Sequence, residues 1–190
     1  MALSGELDAW LRIALTPGVT PAIFRKLLRV FGGPEDILRQ SRAQQGSVEK
    51  ISTTSTWLDD PANHIITLGD AGYPRQLLDI PDPPVLLYAK GDLRILERPS
   101  LAVVGSRQAT QQGLENAYAM SLALSEAGMA IVSGLALGID TAAHRGGIDG
   151  RSGTIAVVGT GLDIVYPARN RALAHAIAGA GAIISEYPLE

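Results

Sequence analysis

Three glycine-containing runs hold most of the residues in this chain that could do chemistry: Gly105-Ser106-Arg107, Ser133-Gly134-Leu135-Ala136-Leu137-Gly138 and Gly159-Thr160-Gly161. Glycine lets a backbone approach an anion closely, and a helix starting just after such a loop offers free N–H groups with a favourable dipole. Arg107 adds a guanidinium, whose planar fork matches phosphate oxygens. Together these residues point to a phosphate or nucleotide site. In the competing interpretation the glycines serve only tight turns, the loops stay empty, and the chain is a structural interaction module. Arg107 likewise has an alternative role, an internal pair with an acid such as Asp140.

Other reactive groups are sparse. Asp140 and His144 lie four apart and could look like an acid–base pair. Asp140 is equally explained as a first-turn acid favourable with a helix dipole, and His144 as a packing or polar partner. No second carboxylate or nucleophile matches them, so no catalytic residue is assigned. His64 and His175 lack companions at ligand spacing, and there is no cysteine, so neither a metal nor a disulfide is expected. A dinucleotide cofactor is also not expected. Gly105 is followed by Ser106 and Arg107 instead of the G-x-G-x-x-G fingerprint, and Ile164 takes the last glycine position after Gly159-Thr160-Gly161. Ser133-Gly134 stands where the ribose-binding acid belongs.

The elements that must carry these loops follow from periodicity. From Leu101, apolar runs of four to five residues alternate with helical segments. Strands are predicted at 101–104, 129–132, 154–158 and 182–185, and helices at about 110–127, 139–146 and 170–178. This is the pattern of βαβ units and of a Rossmann-like α/β parallel sheet covered on both faces. Four strands are few for such a sheet, and the sequence reads as a fragment of a longer protein.

The first 57 residues are predicted helical. Leu7, Trp10, Leu11, Ala14 and Leu15 trace one buried face, and Pro17-Gly18 ends it. Thr20 caps a second helix over 22–31 with Pro21 at its first position, and Gly32-Gly33-Pro34 stops it. A third helix begins near Pro34, and residues 41–56 read as a loose helix or loop. The turn Leu15-Thr16-Pro17-Gly18-Val19-Thr20 is like a helix-hairpin-helix with Thr20 at the second glycine position, so at most weak DNA contact is expected there. Residues 58–99 are punctuated by six prolines and contain two short apolar runs, 65–68 and 85–88, which suit edge strands in a wrapping connector. The domain plan is therefore 1–57 helical, 58–99 connector and 100–190 Rossmann-like.

Composition limits the function classes. Hydrophobic residues make up 46% and charged ones 18%, enough for a packed core. The start carries Glu6 and Asp8 instead of a basic and apolar leader, and no apolar run could span a bilayer, so a reducing cytoplasm is the expected compartment. A net charge of −3 argues against coating duplex DNA by bulk electrostatics. Thirteen of sixteen cations are arginine, which suits a few placed phosphate contacts, although an arginine-biased composition explains it as well.

Longer motifs add a resemblance. Val103-Val104-Gly105-Ser106-Arg107, the run from Ser133 to His144 and the run from Val158 to Pro167 resemble the DNA-processing protein A family, also called DprA or Smf. Ser185-Glu186-Tyr187-Pro188 does so too, as does the lead-in Gly72-Tyr73-Pro74-Arg75-Gln76-Leu77-Leu78 with Pro83 to Gly91. The helical start is similar to that family's sterile-alpha-motif-like domain.

The resemblance implies a cytoplasmic protein that binds incoming single-stranded DNA during natural transformation. It also implies protection of that strand and delivery of the RecA recombinase onto it, without turnover chemistry. The DNA groove would use Gly105, Ser106 and Arg107, the second loop through Ser133, Gly134, Ala136 and Gly138, and Arg169, Asn170 and Arg171 after Tyr166-Pro167. A homodimer is implied for the full-length form, whose domain continues through a further Arg/Asn-rich motif and more strands. The alternative class is a nucleotide phosphohydrolase resembling the lysine-decarboxylase-like Rossmann family, whose P-G-G-x-G-T-x-x-E signature is absent from these residues.

Overall fold

A computed structural model describes residues 3–40 and 48–190. Among the described residues, four helices open the chain. α1 (Gly5–Ala14) begins where the Ser4 side chain accepts a bond from the Leu7 amide, and it buries Ala9, Trp10, Leu11 and Ile13. α2 (Pro21–Phe31) is capped by Thr20, whose Oγ1 accepts from the Ile23 amide at 3.3 Å. Thr20 has φ −81°, so it serves as a helix cap and not as a left-handed turn residue. The helix stops at Gly32, whose φ of +90° only glycine adopts easily. α3 (Pro34–Gln40) and α4 (Val48–Trp57) follow. The segment read as loose is thus helical from Val48, and residues 41–47 lie outside the described residues.

The sheet has six strands: β1 (Asn63–Thr67), β2 (Leu86–Gly91), β3 (Ser100–Ala102), β4 (Ala130–Ser133), β5 (Thr154–Val157) and β6 (Ala182–Ser185), in the order β1-β2-β6-β5-β4-β3. β3 to β6 are parallel, as the βαβ pattern requires. Two features depart from the expected four-strand parallel sheet covered on both faces. β6 is not a free edge, because β2 pairs with it antiparallel from Tyr88↔Ser185 to Gly91↔Ala182, and β1 pairs with β2. The two strands of the 58–99 stretch therefore extend the same sheet. β3 is not buried: it forms the opposite edge, all three of its residues are exposed, and Val104 beyond it is 78% exposed.

Helices α5 (Gln111–Glu126), α6 (Ile139–Asp149) and α7 (Arg171–Ala180) connect the parallel strands across one face. α5 and α6 approach closely: a Cβ on Gly146 would strike the Tyr118 carbonyl. On that face Ala156, Ile183, Ala174, Ile177 and Leu135 form one core, and α1 to α4 pack on Val85, Leu86 and Tyr88 to form another. The opposite face is covered by the 3-10 turns Arg75–Asp79 and Leu93–Glu97, with Ile95 and Leu96 against Ile155 and Ile184. That cover reaches Ala130 on β4 but thins at the carboxyl end of β5, where Val157 stays 47% exposed, and β3 lies outside it. The expectation of a sheet covered on both faces holds for the body of β4 to β6 and fails at the β3 edge.

Candidate nucleic-acid interface

Parallel β3, β4 and β5 deliver their loops to one edge of the sheet, the carboxyl edge where ligands of open α/β sheets sit. There a cavity of about 290 Å³ is lined by Arg107, Gly134, Ala136, Leu137, Val158, Gly159, Thr160, Tyr166 and Pro167. The three glycine runs thus converge as the sequence predicts.

The first loop is shaped by close packing. A Cβ on Gly105 would come within 2.6 Å of Ile139 Cγ1, so glycine lets the end of β3 reach the start of α6. The Ser106 carbonyl accepts from the Ile139 amide at 3.1 Å, and Ser106 Oγ accepts from the Gln108 amide at 3.0 Å. Gly138, at φ +79°, lies directly on the Ser106 carbonyl. Arg107 projects from this turn, exposed and with no ion pair or hydrogen bond among the described residues. The pairing with Asp140 does not occur.

The second loop is locked from inside. Asp140 Oδ2 accepts from the amides of Gly134 at 3.1 Å and Ala136 at 3.2 Å. His144 Nε2 accepts from the Leu135 amide at 3.3 Å, which holds Leu135 at φ +61°. Asn170 Nδ2 donates to the carbonyls of Leu135 (2.8 Å) and Ala136 (3.2 Å) and to Thr141 Oγ1 (3.0 Å). Ser133 is buried, and its hydroxyl donates to the Val103 carbonyl at 2.7 Å. The amides of Gly134, Leu135 and Ala136 are therefore already used, whereas those of Leu137 and Gly138 have no protein acceptor among the described residues.

His144 is fully buried and its protonation state can be deduced. Thr154 Oγ1 donates to the Ile131 carbonyl at 2.7 Å, so His144 Nδ1, 2.7 Å from that oxygen, carries the proton. Nε2 is then free to accept from Leu135. Burial pushes the imidazole pKa down to about 4, so the ring is neutral near pH 7. This is the polar-partner role and not an acid–base role.

Of the residues singled out in the sequence, Arg107, Gly134 and Ala136 line the cavity, while Gly105, Ser106 and Gly138 lie outside the lining, packed where the first loop meets the start of α6. Ser133 and Asn170 point inward as braces. Arg169 and Arg171 are exposed at the start of α7, outside the cavity lining. Tyr166, 66% exposed at the cavity, was not among the singled-out residues. Its signal was an aromatic residue beside a proline in a loop opened by glycines, where no core periodicity accounts for it. No group of three or more His, Cys, Asp or Glu residues that could hold a metal occurs among the described residues, and none of their helices is long and apolar enough to cross a membrane.

The model of one family, DNA recombination-mediator protein A, matches residues 64–190. The chain belongs to that family. Protein Smf of a Synechocystis species is 35% identical over 207 residues, covering 98% of this chain and 52% of the relative. DNA processing protein DprA of Streptococcus pneumoniae is 47% identical over 118 residues, covering 62% of this chain and 42% of the relative. The chain thus spans about half the length of the curated relatives it matches. Among solved structures of the family, the S. pneumoniae DNA processing protein A aligns with a TM-score of 0.76 at 31% identity, over 99% of this chain and 69% of that one. The Helicobacter pylori protein, solved for its single-stranded DNA binding mode, aligns with a TM-score of 0.58 at 31% identity, over 67% and 57%.

Proposed function

We propose that this chain is the strand-gripping part of a DprA-type protein, binding single-stranded DNA across Arg107, the second glycine loop and Gly159-Thr160. The observation that carries the reading is the unpaired guanidinium of Arg107 beside the same cavity as the exposed ring of Tyr166. A guanidinium grips a phosphate, and a free aromatic face stacks on any base, the combination that sequence-tolerant single-strand binders use. The H. pylori relative described for its single-stranded DNA binding supports the same reading. Arg169 and Arg171, exposed on the following helix, would extend the cationic track.

In this reading the protein performs no turnover. It shelters incoming DNA in the cytoplasm during natural transformation and helps deliver the RecA recombinase onto it, as a homodimer in its full-length form. The test is a binding comparison of single-stranded and duplex oligonucleotides of equal length at two salt concentrations. The single strand is expected to bind more tightly at both, with affinity falling as salt rises. Equal or tighter duplex binding would overturn the proposal.

A further inference from the structure

The N-terminus of α6 looks like the anion site of a nucleotide-binding sheet. A glycine loop leaves β4 and enters a helix of eleven residues. Yet an anion is already there, and it belongs to the chain. Asp140 is 7% exposed, and its Oδ2 takes the amides of Gly134 and Ala136. No cation pairs with it among the described residues, so loop amides and the helix dipole are what hold this buried carboxylate. A Cβ on Gly134 would come within 3.0 Å of the same oxygen, so the loop is closed tightly around it.

We infer that Asp140 is a specificity-determining residue: it occupies the place of a ligand phosphate and bars small phosphorylated molecules from the α6 N-terminus. The consequence is selective. A free phosphate or mononucleotide needs several donors converging on one group, and here two of them are taken and a negative charge faces the incomer. A polymer needs only one or two contacts per phosphate, repeated along the strand. Arg107 and Leu137 line the cavity, and the amides of Leu137 and Gly138 have no protein acceptor among the described residues, so they can supply contacts of that kind. The inference rests on the strand-binding reading for its benefit, but not for the occupancy of the loop by Asp140.

The experiment uses the wild-type chain, Asp140→Asn and Asp140→Ala, with inorganic phosphate and adenosine 5′-monophosphate as probes at matched ionic strength. Calorimetry reads binding and thermal melts read linked stabilisation. The wild type is expected to show no saturable uptake of either probe and no rise in melting temperature beyond a chloride control. Both variants are expected to bind phosphate saturably, about ten-fold or more tightly than the weakest affinity the wild-type titration could have detected, the worth of one charge-assisted hydrogen bond. In Asp140→Ala, phosphate should also restore part of the lost melting temperature, which a purely structural role would not allow. Folded variants that gain no phosphate affinity would overturn the inference, as would variants that fail to fold and are not rescued by phosphate. A single-stranded oligonucleotide is titrated into the wild type in parallel. If it fails to bind, the strand-binding proposal falls while the phosphate arm still decides the role of Asp140.

Discussion

His144 Nδ1 and Thr154 Oγ1 stand 2.7 Å apart inside the sheet–helix interface, and the proton between them belongs to the ring. The contact joins α6 to β5 and lets the other ring nitrogen hold Leu135 in its left-handed conformation. Charging the ring would put an N–H against the Leu135 N–H.

That relationship sets a pH dependence. The folded imidazole has a pKa of about 4, whereas an unfolded one sits near its ordinary value of about 6.5. Between these values the unfolded chain binds the extra proton, so stability is whole above the upper value and falls as pH drops toward the lower one. The loss should reach about 3 kcal/mol. Urea unfolding at steps across this window checks it, with His144→Gln as control. The variant should be less stable near pH 7 and should lose most of the slope. An unchanged slope would assign it to other groups.

Arg107→Ala should leave the melting temperature unchanged, because the guanidinium makes no ion pair or hydrogen bond among the described residues. It should weaken single-strand binding about ten-fold or more, a loss of about 1.5–3 kcal/mol, and reduce the salt slope by about 0.7. Tyr166→Ala should cost about 1–3 kcal/mol of affinity without changing that slope, since stacking releases no counterions. Fluorescence anisotropy over a salt series separates the two. Identical salt slopes for both variants would contradict the division of labour.

Asn170 differs, because its amide nitrogen is committed to the second loop. Asn170→Ala should lower stability by about 2 kcal/mol by leaving the Leu135 and Ala136 carbonyls short of a donor. Asn170→Asp keeps the shape but removes the donor and should be no better. Chemical denaturation measures both, and a fully stable Asn170→Asp would show that packing, and not donation, is what matters.

The open ladder of β3, with Leu101 and Val104 exposed beside it, should make the isolated chain associate at high concentration. Leu101→Lys should reduce that association without loss of melting temperature. Sedimentation of both proteins over a concentration series provides the measurement.

The local punctuation of this chain was readable. Thr20-Pro21 and Gly32-Gly33-Pro34 bound α2 where the sequence placed its ends, because caps and breakers act through neighbouring backbone. The convergence of three strand-end loops was readable too, since parallel βαβ order dictates it. The pairing of β2 with β6 was not: it joins residues about a hundred positions apart, and no local period records such a partner. The internal use of the loop amides was hidden for a related reason. An acid in the first turn of a helix reads as a dipole effect, and only the folded loop brings Gly134 and Ala136 back onto Asp140. Tyr166 escaped because aromatic residues are first weighed as core.

β2 separates two interiors. Leu86 and Tyr88 face the helical start of the chain, while Leu87 and Ala89 face the 3-10 turns under the sheet. Side chains alternate along a strand with period two, so shifting this one by a single residue would exchange the contents of both interiors at once. Tyr88 would be driven into the cluster that Ala89 now shares with Ile95, Leu96 and Ile184, and Ala89 would leave a hole against Trp57. An insertion or deletion inside Leu86–Gly91 should therefore damage the helices and the site-bearing sheet together, although β2 itself contributes no residue to the cavity.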